Sequence, residues 1–271
     1  SNNHYSVKID GSPAIVWGTN PENGKFFVGT KSVFNKRTPK INYTVEDICR
    51  NHPQFELQSI LIRCLNYLPR KDDVPFQVFQ GDFIGYGGYR DYKPNAISYT
   101  FDRVMNKGIV VAPHTYYTGN TLKDMQANAL TFIVMGGDGA DFIQPDAWIS
   151  QYGATKDIHQ MVKFAKQMAT LVDFATEKEA KQLKIDLNSY IRDGDAVVAE
   201  EFANYQLIRL WLLVKDIKED YMRLMRDNFN CDCFLGNEYI NGEGYVMTGE
   251  HGTYKLVKRE EFSRYNFNLT R

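Results

Sequence analysis

The chain has 271 residues, 43% hydrophobic and 14% aromatic, enough to bury a substantial core and too many for a disordered chain or a disulfide-stapled miniprotein. Lysine and arginine number 32 against 33 aspartate and glutamate, so the net charge of −1 excludes a strongly basic chain that holds nucleic acid by bulk charge, while leaving room for a local basic patch. No apolar run approaches the roughly 20 residues that cross a bilayer, and Ser1-Asn2-Asn3-His4 lacks the regions of a signal peptide, so a soluble, cytoplasmic chain with no membrane partner is expected.

From the N-terminus, Tyr5–Gly11 and Ala14–Gly18 read as short strands joined at a Gly-Ser-Pro turn, and Asn23-Gly24 marks a hairpin into Lys25–Lys31. Thr44, three residues before Asp47, matches a helix-capping pair, and Pro53 should end that helix. Leu57, Ile60, Leu61, Cys64, Leu65 and Leu68 then recur at helical spacing. Strand-like runs follow at Phe76–Phe83, Ala96–Val104 and Gly108–Pro113. Helices are expected at Asp157–Ala175, Glu177–Ile191 and Ala196–Met225, with strands again at Gly242–Thr248 and Thr253–Arg259 around a turn at Glu250-His251-Gly252. Net charge shifts with this texture: +4 over residues 1–118, −5 over 119–235 and 0 over 236–271. The expected organisation is a β-rich core from 1–118 and 236–271, with 119–235 as a largely helical insert.

Some signals point away from chemistry. Cys49, Cys64, Cys231 and Cys233 are too few and scattered for a disulfide framework, and the single spacer of Cys231-Asp232-Cys233 is short for a zinc knuckle. Gly136-Gly137-Asp138-Gly139 lacks the spacing of a phosphate loop and reads as a turn. The five histidines, His4, His52, His114, His159 and His251, show no metal spacing; His4 is a candidate nucleotide contact only through its nearness to Lys8.

Five short motifs stand in order: Lys8-Ile9-Asp10-Gly11, Gly81-Asp82-Phe83-Ile84-Gly85, Tyr99-Thr100-Phe101-Asp102, Glu243-Gly244-Tyr245-Val246 and Lys255-Leu256-Val257-Lys258. Strand alternation puts Lys8 and Asp10 on one face, and Gly11 allows close approach. Each motif is weak alone. As an ordered set covering residues 8 to 258, they resemble the signature of the covalent nucleotidyltransferases, the superfamily of ATP-dependent DNA and RNA ligases and mRNA capping enzymes.

The resemblance implies an α+β fold in which antiparallel β-sheets form a nucleotide cleft of ligase type, with a helical insert. It implies that Lys8 attacks the α-phosphate of ATP to give lysyl-AMP. Asp10 and Gly11 would belong to the nucleotide site, Asp82 (where the family has glutamate) and Glu243 would surround the nucleotide and its Mg2+, and Phe101 would stack on adenine. Lys255 and Lys258 would hold the α-phosphate, and Lys31 is a further basic candidate. Lysine needs to lose its proton to be a nucleophile, and nearby cations with partial burial favour that. Bland readings stand beside these: Asp82 ending a strand, Phe101 packed in the core, Glu243 solvated at a turn, and the two lysines as surface charges.

Two departures matter. Family members carry two lysines one residue apart, on one strand face, whereas Lys255 and Lys258 fall on opposite faces, with Lys255 favoured to reach the phosphate. Seven residues precede Lys8 and 13 follow Lys258, fewer than the family has before the lysine and too few for the OB-type domain of DNA ligases and capping enzymes. This layout resembles phage-type RNA ligases, and implies a nucleic-acid partner with 5′-phosphate and 3′-hydroxyl ends, RNA favoured over DNA. A DNA ligase or other nucleotidyltransferase of the same mechanism, or a non-catalytic nucleotide-binding or structural descendant of the fold, are the alternatives.

Overall fold

The computed structural model describes residues 3–70, 78–150 and 155–258. It opens with β1 (His4–Lys8), β2 (Ala14–Thr19) and β3 (Phe26–Gly29), the last two paired as a hairpin in which Gly24 takes a left-handed φ of +70. Helix α1 (Val45–Asn51) starts at Thr44 with a full capping box: the Thr44 hydroxyl accepts from the Asp47 amide and the Asp47 carboxylate accepts from the Thr44 amide. Past Pro53, α2 (Phe55–Tyr67) buries Ile60, Leu61, Cys64 and Leu65, the helical stripe expected there.

Next come β4 (Val78–Tyr86), β5 (Tyr89–Tyr92), β6 (Ile97–Met105) and β7 (Ile109–Thr118), then three short strands, β8 (Gln126–Ala129), β9 (Ala140–Phe142) and β10 (Asp146–Ile149). The expected strand start at Phe76 and strand end at Arg259 lie outside the described residues. The glycine cluster at 136–139 is a turn, as its spacing suggested. Helices α3 (Thr155–Ala169), α4 (Glu177–Asp193) and α5 (Tyr205–Arg223) follow. Helix α4 ends at Gly194, whose φ of +73 suits a left-handed cap, and α5 begins late because Asn204 accepts from the Leu207 amide as its cap. The chain then returns to strands β11 (Met225–Asp227), β12 (Cys231–Leu235), β13 (Glu238–Ile240), β14 (Gly244–Gly249) and β15 (Gly252–Val257).

Among the described residues three sheets result, in the orders β11-β10-β1-β14-β15, β13-β12-β6-β5 and β3-β2-β4-β7-β8. All pairings along these orders are antiparallel, and the parallel contact of β7 with β9 stands off them. The fold is therefore mixed α+β, as composition and texture implied. The helical part is shorter than expected, because strands from within 119–235 join the sheets: β8 pairs β7, β10 pairs β1, and β12 pairs β6. Its ends meet. Ile149 pairs with Met225, and the Ser150 amide donates to the Leu224 carbonyl at 2.9 Å, so the helices leave and re-enter the first sheet at one point.

The third sheet is buried on both faces. Along β7, Ile109 and Val111 join the core shared with α2, while Val110 and Ala112 join the core shared with the second sheet. Among the described residues no helix is long and apolar enough to cross a membrane.

Candidate functional site

A cavity of about 590 Å³ lies between the first and third sheets. That size is in the range of small-molecule sites. Lys8, at the end of β1, and Lys255, on β15, line it from one side, and Asp82 on β4 and His114 on β7 from the other. Register explains the convergence: β14 lies between β1 and β15, with Lys8 opposite Gly244 and Lys255 opposite Val246. Across the cleft, Asp82 pairs with Ala112 and sits next to His114, whose Nε2 is 3.4 Å from an Asp82 carboxylate oxygen, while its Nδ1 is 2.7 Å from the Thr115 hydroxyl.

Lys8 Nζ donates to Glu243 Oε2 at 2.6 Å. Both side chains are mostly enclosed, 22% and 17% exposed, which strengthens the ion pair relative to one in open water. Glu243 itself lines a second cavity of about 720 Å³, bounded by the end of α5, β11 and β12 and by Lys258. The ion pair thus links one residue from the lining of each cavity. Next to Glu243, Gly244 lets β14 lie close against β15: its φ is +147, and a Cβ there would lie 2.1 Å from the Leu256 carbonyl.

The other expected residues sit as follows. Asp10 turns from the Lys8 cavity because β1 ends at Lys8, interrupting the alternation that would have kept the two on one face. Its carboxylate instead accepts from Asn95 Nδ2 and from the Ala96 and Ile97 amides, and its own amide donates to the Tyr99 hydroxyl at 2.7 Å. Burial pushes the Tyr99 phenol well above its usual range, so it stays a neutral partner. Gly11 packs directly on β4: a Cβ would meet the Asp82 Cβ at 2.6 Å. Phe101 lies in the core of the second sheet, edge-on to Tyr92 and Phe229, and lines neither cavity. Lys31 is exposed on a one-turn helix away from both cavities. Lys255 and Lys258 divide between the two cavities, and Lys255 shares that of Lys8.

Asp82 and Glu243 do not form a shared carboxylate pair, since they line different cavities and are engaged by His114 and Lys8 respectively. Among the described residues, no group of three or more His, Cys, Asp or Glu converges as a metal site. All four cysteines are free; Cys233 is buried, and Cys231 is held protonated by its hydrogen-bonded neighbour Cys233 and by burial.

Two features were not singled out from sequence. His114 gave no local signal, because its place beside Asp82 follows only from the pairing of β4 with β7. Phe132, the phenylalanine that lines the Lys8 cavity, sits on a loop fixed by Gln144, whose side chain accepts from the Val134 amide and donates to the Phe132 carbonyl.

An α+β framework with an enclosed lysine-carboxylate pair between two cavities is what the fold and site define. The chain belongs to a family of unknown function, DUF6267, which matches residues 1–205 and 196–271. No curated protein and no solved structure matches the chain.

Proposed function

We propose that this chain is an ATP-dependent nucleotidyltransferase of the RNA-ligase type, with Lys8 as the nucleophile. The observation that carries the reading is the meeting of Lys8, Lys255 and Asp82 at one cavity, with Glu243 bonded to Lys8, in agreement with the ordered motifs. In the first step Lys8 Nζ would form a bond to the α-phosphorus while the bond to the β-phosphate oxygen breaks and pyrophosphate leaves. The amine gives up its proton, and Glu243 is the base already within hydrogen-bond reach. Lys255 would offset charge building on the phosphate. In the second step an oxygen of a polynucleotide 5′-phosphate takes the AMP, breaking the phosphorus–nitrogen bond and returning the electron pair to Lys8. A 3′-hydroxyl then displaces AMP and joins the strands. Magnesium would arrive on the nucleotide phosphates, with no preformed carboxylate pair for it.

Incubation with α-labelled ATP and magnesium, denaturation and peptide mapping test this. Label on Lys8 in the native chain and none in Lys8→Ala is the expected result; equal labelling of Lys8→Ala overturns it. The ion pair favours one rival reading, because an ammonium held by a carboxylate is not a nucleophile. That reading, a nucleotide-binding protein without transfer, predicts reversible ATP binding and no covalent label.

A further inference from the structure

The second cavity has chemistry of its own. Arg223, Arg226 and Lys258 line it, all three exposed. Among the described residues neither Arg226 nor Lys258 has a carboxylate partner; Arg226 donates only to the carbonyls of Arg223 and Met225, leaving the rest of its guanidinium toward solvent, and Arg223 is paired with Asp220. The cavity's two acids are already engaged. Asp227 accepts from the Tyr245 hydroxyl and the Phe229 amide, and Glu243 accepts from Lys8. With the acids engaged, and with Arg226 and Lys258 open to solvent beside Arg223, the cavity favours an anion with several acceptor oxygens that can compete with Asp220 for Arg223, since guanidinium groups bind such anions in bidentate fashion. Tyr239, 63% exposed and edge-on to Phe234, adds an aromatic face beside these cations. Cations around an exposed ring are the combination that holds a single nucleic-acid strand, by phosphate charge and by base stacking.

Position supplies the second argument. Glu243 belongs to this cavity while its partner Lys8 belongs to the other, so the ion pair joins the linings of the two cavities. We propose that the second cavity receives the phosphorylated 5′ end of a polynucleotide strand, with Arg226 and Arg223 on the phosphate and Tyr239 under the terminal base, and that the Lys8–Glu243 pair is the partition this end crosses to reach AMP. The assignment rests on the nucleotidyltransferase reading for its purpose, but its binding chemistry can be measured apart from it.

The test uses a short RNA with a 3′ fluorophore, prepared with a 5′-phosphate or a 5′-hydroxyl, and the anisotropy of each with the native chain, with Arg223→Gln/Arg226→Gln and with Arg226→Lys. The native chain should bind the phosphorylated strand about tenfold more tightly than the hydroxyl form. The double variant should lose that preference, and the slope of log affinity against log salt should become shallower by about 0.7 for each cation removed. Arg226→Lys should keep a charge-based part of the preference. In parallel, labelling with α-labelled ATP should persist in the double variant while transfer of label to the strand is lost. A double variant that retains the native phosphate preference overturns the proposal, as does a native chain that binds both strands equally. Free pyrophosphate displacing the phosphorylated strand at equal concentration overturns the polynucleotide as occupant. Phosphate preference that is lost in the double variant, in a chain that never labels Lys8, supports this site and defeats the ligase reading alone.

Discussion

The sheet framework and the helical segment are built on the same chain by opposite economies of burial. In the framework, Ile15, Val28, Ile48, Leu61 and Ile109 are wholly buried, Trp17 nearly so, and the third sheet is covered on both faces. In the helical segment, α3 buries Ile158, α4 buries Ile191 and α5 buries Ile208 and Leu210, while Phe164, Ile185 and Val214 on the helices and Leu171 and Phe174 between α3 and α4 stay exposed. Stability therefore divides unevenly, and the site residues sit on the firm side: Lys8, Asp82, Glu243 and Lys255 all come from the strands or their ends. What the difference teaches is that rigidity here belongs to the sheets that hold the Lys8–Glu243 pair, and that the helices are attached to them as a softer appendage.

Replacing Trp17 by Ala should break the framework most, at about 3–5 kcal/mol in urea unfolding, whereas Leu171→Ala should stay within about 0.5 kcal/mol. Equal losses at the two positions would refute the contrast. Gly244→Ala should come next, because a Cβ has no space against the Leu256 carbonyl; about 1–3 kcal/mol is expected, together with loss of labelling at Lys8. Two threonine caps compare the regions directly. Thr44→Ala on α1 should cost about 1 kcal/mol of global stability, while Thr176→Ala on α4 should quicken hydrogen exchange along that helix and leave the global midpoint unmoved.

The smallest expected effect is a pH dependence. His52 is buried and bonded at Nε2 to the Asn42 side-chain amide, which also donates to the Val28 carbonyl, so Nε2 is the acceptor and the ring is neutral. Burial, with Lys40 nearby, holds its pKa below the ordinary histidine value. A lowered folded pKa means that the unfolded chain binds the proton more readily, so stability falls as pH drops from about 7 through the ordinary value near 6.5 toward the lowered one. The urea midpoint should be lower at pH 5 than at pH 7, and His52→Gln should flatten that part of the difference.

Much of this was legible where the cause is local. The Thr44 cap, the α2 stripe and the hairpin at Asn23-Gly24 are written within a few residues, and the structure carries all three. Lys255 and Lys258 line different cavities, but β15 ends at Val257, so strand period does not by itself account for the place of Lys258. Strands of three or four residues such as β9, β10 and β11 are too short for a period to emerge, and their partners are distant: β10 joins β1, and β9 joins β7. Phe101 shows the limit of a motif. A residue's place in an ordered set says nothing of which strand face meets solvent, and here β6 turns that ring into the core.

The hydrogen bond from Ser150 to Leu224 closes the root of the helical segment as a turn closes a hairpin. Because closure grows slowly with length, about 0.6 kcal/mol for each doubling of a flexible loop, the framework is nearly indifferent to how much chain is threaded through that doorway. The root is thus a natural splice point, where helices can be swapped, trimmed or exchanged for a foreign module while β10 and β11 keep their register and Lys8 keeps its neighbours.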